Sequence, residues 1–213
     1  MPDLSFQVED VIATPNSATP QLSFKIRIRN AELQAVHSIA LRAQVQIEPI
    51  RRLYSDEEKF RLKELFGAPE QWSKSLQPLV WTNANVNVPG FSGETLIEVL
   101  VPCTFDFNVA MTKYIYGLEG GELPMSLLFS GTVFYRGPSG GLQVAQIPWD
   151  REARYRLQVK VWKELMERYY ANVVVLSLRR DVFDRLCEFK GQNGIASWDQ
   201  AVERMLDLAG AKV

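Results

Sequence analysis

Few residues in this chain are of types that carry chemistry, and their spacing brings little together. Among 213 residues there is one histidine, His37, and there are two cysteines, Cys103 and Cys187. A structural zinc site needs four nitrogen or sulfur ligands, most of them in close pairs, and this set offers no such pair. The cysteines fall in separate stretches, which suits two free thiols buried as small hydrophobes in a reducing cytosol. Three carboxylates have suggestive neighbours. Asp106 lies in Thr104-Phe105-Asp106-Phe107-Asn108, where apolar surroundings would raise a carboxyl pKa. Glu119 and Glu122 flank glycines, but nothing in the sequence pairs them with a nucleophile. Gly117-Leu118-Glu119-Gly120-Gly121 is glycine-rich without the Lys-Ser/Thr that completes a phosphate loop, so a β-connection is expected there. No dinucleotide fingerprint or nucleophile elbow occurs. The expectation is no metal, no cofactor and no catalytic residue.

A second kind of chemistry is recognition through aromatic surface. The chain has five tryptophans. Core packing accounts for most tryptophans in β proteins, and interface anchoring is the competing use. Residues 68–92 carry Trp72, Trp81 and Phe91, are punctuated by Pro69, Pro78 and Pro89, and show no clear period. A long irregular connection runs over the surface, so Trp72, Trp81 and Phe91 are the candidate partner-binding residues.

The elements that must position these residues read as mainly β. Leu22, Phe24, Ile26 and Ile28 alternate with Ser23, Lys25, Arg27 and Arg29, the period of a strand with one wet face. Ile39 to Ile47 repeat that pattern, and further strands are predicted over 95–101, 125–135, 142–147 and 154–159. Gly137-Pro138-Ser139-Gly140-Gly141 signals a hairpin turn. One helix interrupts the strands over 55–67: Ser55 and Glu58 have capping-box spacing, Phe60, Leu62, Leu65 and Phe66 supply an apolar side, and Gly67 stops it. From Val161 the period becomes helical. A short strand is predicted over 173–178, then a helix capped by Asp181. The last helix has Ser197 and Gln200 as a second capping pair, and Trp198, Ala201, Val202, Met205 and Leu206 as an amphipathic stripe.

Acidic and basic residues nearly cancel, 25 against 24, so no overall field steers the chain to nucleic acid or an anionic membrane. The first residues lack the basic and apolar regions of a secretion signal, and no apolar run approaches membrane-spanning length. A cytoplasmic protein without a membrane partner is expected.

The stretch Ile147-Pro148-Trp149-Asp150-Arg151-Glu152-Ala153-Arg154-Tyr155-Arg156-Leu157, followed by Val161-Trp162-Lys163-Glu164-Leu165-Met166, resembles the signature of an uncharacterised bacterial family, a domain of unknown function. Leu176 to Asp181 and Ser197-Trp198-Asp199 fit the same pattern. That resemblance implies an accessory or assembly role, since similar proteins tend to be encoded near bacterial uptake-hydrogenase genes. Residues 173–208 also resemble the ribbon-helix-helix arrangement of small repressors, which would place Arg179 and Arg180 against DNA phosphates. In that family the strand carries basic or polar side chains into the major groove, whereas Ser177 is the one polar residue of the strand predicted here.

Together these features predict an Ig-like antiparallel β-sandwich over residues 1–159, with a helical insertion at 55–67, and an α-rich C-terminal region over 160–213 docked on it. The expected function is non-catalytic protein interaction or assembly, with another protein or a second copy as partner. Two alternatives stand beside it: a DNA-associated regulator dimerising through the tail, and an enzyme of unrecognised type.

Overall fold

The computed structural model describes residues 2–32, 34–137 and 140–210, and the chain divides into two compact units, Met1–Val173 and Val174–Val213. The first is mainly β with helices. Its strands form two antiparallel sheets. β1 (Leu4–Ala13), β2 (Gln21–Asn30) and β5 (Glu94–Pro102) make one in the order β1-β2-β5. β4 (Leu79–Val88), β3 (Val36–Ile47) and β6 (Glu122–Arg136) begin the other, and β7 (Leu142–Gln146) and β8 (Glu152–Gln158) share the far edge of the long β6.

Alternation decides which side of each strand is dry. Leu22, Phe24, Ile26 and Ile28 of β2 are fully buried, and so are Ala43, Val45 and Ile47 of β3. The two sheets share one core, in which Phe6 of β1 stacks on Phe129 of β6 with ring centroids 4.2 Å apart. The wet side of the three-stranded sheet is crossed by ion pairs: Arg27 holds Glu9 and Glu94, and Arg29 reaches Glu94 at 3.0 Å.

Among the described residues there are six α-helices, four in the first unit and two in the second. α1 (Asp56–Phe66) forms where expected, with both arms of the Ser55–Glu58 capping box in place and Gly67 closing it at φ 75°. Its dry face runs through Glu58, Leu62 and Phe66, while Phe60, expected on that face, is exposed. The 68–92 segment is not irregular. It contains a 3-10 turn (Pro69–Gln71), the short helix α2 (Trp72–Ser75) and β4. α3 (Val109–Gly117) was not anticipated, and it is capped by Asn108, which accepts from the Met111 amide at 3.0 Å. α4 (Val159–Tyr169) belongs to the first unit: Trp162, Leu165 and Met166 are buried in its core. The unit boundary therefore falls at Val173, beyond the expected 159.

The second unit holds α5 (Arg180–Gln192) and α6 (Trp198–Leu208). Ser197 caps α6 as expected, accepting from the Gln200 amide at 3.2 Å. α5 begins at Arg180 with Arg179 in the cap position, so Asp181 lies in its first turn instead of capping it. The strand predicted over 173–178 is absent: these residues carry neither helix nor strand. The β6–β7 hairpin is present, but Pro138 and Ser139 of its expected turn lie outside the described residues.

Close packing between β3 and β6 depends on one glycine. Gly131 has φ 138°, and a Cβ there would meet the Ala40 carbonyl oxygen at 2.1 Å. Both the backbone angle and the space demand glycine. Gly131→Ala is expected to destabilise the first unit by at least about 2 kcal/mol, read from denaturant unfolding. An unchanged midpoint would show that β3 and β6 can separate there without cost.

Candidate functional site

The residues singled out for chemistry are scattered. His37 is exposed at the start of β3, and Asp106 is exposed in a turn between β5 and α3. Cys103 is buried, and burial raises its thiol to about 12, which keeps it protonated. Cys187 is half-buried in α5 of the other unit. Among the described residues, no three His, Cys, Asp or Glu side chains come together to hold a metal ion.

Glu119 and the glycine-rich loop instead take part in a buried polar latch that sequence reading missed. Arg52, just before α1, reaches Glu58 at 2.7 Å and donates to the carbonyl of Gly120 at 2.6 Å and to that of Glu122. Glu58 also accepts from the Glu119 amide at 2.8 Å and from the Ser55 amide at 3.2 Å. Lys163 of α4 donates to the Leu118 carbonyl from the other side. Burial pushes the Glu58 carboxyl up, but the Glu119 amide, Arg52 and the Ser55 amide outweigh it, and the carboxyl sits below its ordinary range. Beside it the Tyr54 and Tyr114 hydroxyls meet at 2.7 Å, and burial raises Tyr54 to about 12. The Glu119 side chain points outward to Ser55, at 3.0 Å. Every carboxylate oxygen of Glu58 is thus engaged in holding α1 to the loop, so this cluster is a clasp.

The candidate interface residues also move. Trp72 is only 6% exposed and Trp81 only 4%, and Phe91 is half-buried against the core, bridged by its backbone to Val36. The Trp72 indole N–H donates to the Gly67 carbonyl at 3.0 Å, and its ring meets Tyr54 and Phe66 edge-on. The premise of an exposed aromatic segment therefore fails, because this stretch folds inward as α2 and β4. Trp149 is the exposed tryptophan of the first unit, at the corner between β7 and β8.

Unpartnered apolar surface concentrates in the second unit. α5 and α6 are amphipathic, yet Ala201 is the one buried residue of the unit among those described. Phe183, Trp198, Val202 and Leu206 remain 40–45% exposed. Phe183 and Trp198 lie with ring centroids 5.3 Å apart, and the Lys190 ammonium sits 5.3 Å above the Trp198 ring, a cation–π contact. Two grooves, of about 830 and 460 Å3, flank the segment before α5, and Leu176, Leu178, Leu186 and Val202 line both. Arg179 and Arg180 open α5, and each is paired with an acid of the same helix: Asp181 at 3.0 Å and Asp184 at 3.9 Å.

A family model matches residues 1–213, the whole chain. The protein belongs to DUF6084, a family of unknown function. No curated protein matches this DUF6084 chain. Among solved structures it is similar to the CARDB domain of a Pyrococcus furiosus protein, solved with di-metal ions (10% identity, 74% of this chain and 92% of that one, TM-score 0.31). It is also similar to a putative late embryogenesis abundant protein (12% identity, 74% and 72%, TM-score 0.35). A third is a β-glucosidase from Kluyveromyces marxianus, of which the chain spans only 15% (10% identity, 73% of this chain, TM-score 0.31). Likeness at this level says nothing about function. Among the described residues no helix is long and apolar enough to cross a membrane.

Proposed function

We propose that this DUF6084 protein is a non-catalytic interaction and assembly protein, and that the unit 174–213 makes its contact. One observation carries the reading: two amphipathic helices present an apolar face whose large side chains stay 40–45% exposed, with a single buried residue between them. Contiguous exposed apolar surface of this kind marks a protein contact, and a tryptophan with a neighbouring aromatic is the usual anchor. The open shape of the grooves fits a protein surface better than a small substrate, which pockets normally enclose. Arg179 and Arg180 already have carboxylate partners, and two arginines add little affinity for DNA at cellular salt. That weighs against the regulator.

The reading is tested with the full chain and two charge insertions into exposed apolar positions. Val202→Glu places a carboxylate between the grooves, while Phe60→Glu alters an exposed residue of α1 in the first unit. Contact with protein partners is expected to drop at least tenfold for Val202→Glu and to hold for Phe60→Glu, with thermal unfolding of the first unit unchanged in both. If Val202→Glu keeps every contact that the wild type makes, in binding and in self-association assays alike, the reading is wrong.

A further inference from the structure

We infer that the wet face of the five-stranded sheet, beside Trp149, is a binding site for a neutral carbohydrate chain. The site belongs to the first unit and is independent of the 174–213 surface.

Trp149 is the centre of the site. It is 94% exposed, so the packing of its own unit makes almost no use of the ring. The loop that presents it is nevertheless anchored on both sides. The edge of β6 passes from β8 to β7 around Phe129 to Gly131. There the Ile147 amide donates to the Gly131 carbonyl, and the Phe129 amide donates to the Arg151 carbonyl, each at 2.9 Å. Arg151 also pairs with Asp3 at 2.7 Å, and Pro148 fixes one backbone angle of the loop. An indole held open to water by an anchored loop has little freedom left to lose on binding.

Beside the ring lies a set of unspent amides and hydroxyls. Trp149 shares a groove of about 340 Å3 with Arg42, Gln44, Leu128 and Ser130. The strand register extends it. Asn83, Gln44 and Leu128 form one rung across β4, β3 and β6, and Asn85, Arg42 and Ser130 form the next. Asn87, Ala40 and Thr132 form a third. β4 thus puts asparagine, which disfavours strands, at three successive wet positions. Among the described residues, Asn83 accepts from Arg42 at 3.2 Å, while the side-chain amides of Gln44, Asn85 and Asn87 have no partner. These residues weaken the strand and return almost no internal hydrogen bonding. The wet face of the three-stranded sheet is different, because ion pairs close it.

Charge selects the occupant. Arg42 is the one charged side chain on the three rungs and has no carboxylate partner among the described residues. Asp150, exposed next to Trp149, offsets it. Glu152, across from Leu128 on β8, is already paired with Arg154 at 2.9 Å. A surface so nearly neutral gives no grip on a nucleic-acid backbone. A tryptophan that anchors a protein contact sits in a well-packed, desolvated surround, whereas the groove here is largely amide, guanidinium and hydroxyl. A sugar ring matches both parts of the site. Its hydroxyls donate and accept, as each carboxamide does, and its C–H face packs on the electron-rich face of an indole. Adjacent strands lie about 4.8 Å apart, close to the length of one sugar unit, so neighbouring strands meet consecutive units of a chain.

The test titrates the full chain with maltoheptaose, cellohexaose, xylohexaose, mannohexaose and chitohexaose, read by calorimetry and by tryptophan emission. At least one is expected to bind with a Kd of about 1 mM or tighter, with a blue shift that Trp149→Phe abolishes. Trp149→Ala is expected to weaken that binding at least about tenfold, and Trp149→Phe to keep part of it. Asn85→Ala is expected to weaken it about three- to tenfold. Thermal unfolding stays unchanged in all three, because both side chains are exposed. Val202→Glu should bind sugar as the wild type does, so the two surfaces stand or fall separately. No binding to any of these sugars overturns the inference. Binding that survives Trp149→Ala overturns it, and so does a Trp149-dependent preference for single-stranded oligo-dT over every sugar.

Discussion

Trp72→Ala is expected to cost the first unit about 3–5 kcal/mol, the range for truncating a buried tryptophan, and to lower its melting temperature by roughly 6–20 °C for a chain of this size. The indole is 6% exposed, lies between Tyr54 and Phe66, and spends its N–H on the Gly67 carbonyl that ends α1. Its removal leaves a cavity where α1, α2 and the base of β4 meet, and frees a buried carbonyl. Trp72→Phe keeps much of the ring contact and loses the hydrogen bond, so it should recover more than half of the loss. Chemical denaturation measures both variants. A cost below about 1 kcal/mol for the alanine variant would mean that Trp72 is not a core residue, and would reopen the surface role first read from its sequence context.

Glu58→Ala should be comparably severe. The Glu58 side chain is 4% exposed and its partner Arg52 10%. Deleting one member of such a pair strands the other charge in low dielectric, at a cost of about 3–5 kcal/mol. The loop amide at Glu119 loses its acceptor at the same time. The pair also sets an acid dependence. Because the carboxyl titrates lower folded than unfolded, its contribution is present above the usual glutamate value of 4.5 and is lost as pH falls through the lower folded value. Wild-type stability should therefore drop as pH falls from about 4.5 toward the lower folded value, and Glu58→Gln should flatten this part of the profile. An identical acid slope in the two proteins would remove Glu58 as its origin.

These two residues also show where sequence reading reaches its limit. Ser55 and Glu58 were legible as a capping box, because that device is local and three residues wide. The same Glu58 carboxylate grips a loop 61 residues away, and no local pattern records that. Trp72 and Trp81 were misplaced for a related reason. β4 has Asn83, Asn85 and Asn87 at its wet positions, residues poor in strands, and its register against β3 slips at Trp81, between Thr82 and Val80. A bulge shifts the parity of burial, so the apolar alternation that betrays a strand is broken. The same holds for β1, whose register shifts between Val8 and Asp10. α3 was hidden because Met111, Tyr114 and Ile115 are buried together with residues that serve equally well in a strand.

What the amino-acid sequence determined by itself was the local and periodic part: the strands β2, β3, β5, β6, β7 and β8, the capped helices α1 and α6, and the amphipathic character of the last two helices. Each rests on residues within one or two turns of one another, where steric and hydrogen-bonding preferences act directly. What only the tertiary structure decided was which apolar residues are satisfied. It buried Trp72, Trp81 and Trp162 by bringing distant elements over them, and it left Phe183, Trp198 and Val202 uncovered because their unit is too short to enclose its own apolar face. Burial depends on what the rest of the chain can place on top of a side chain, so the same residue type is core in one unit and exposed apolar surface in the other.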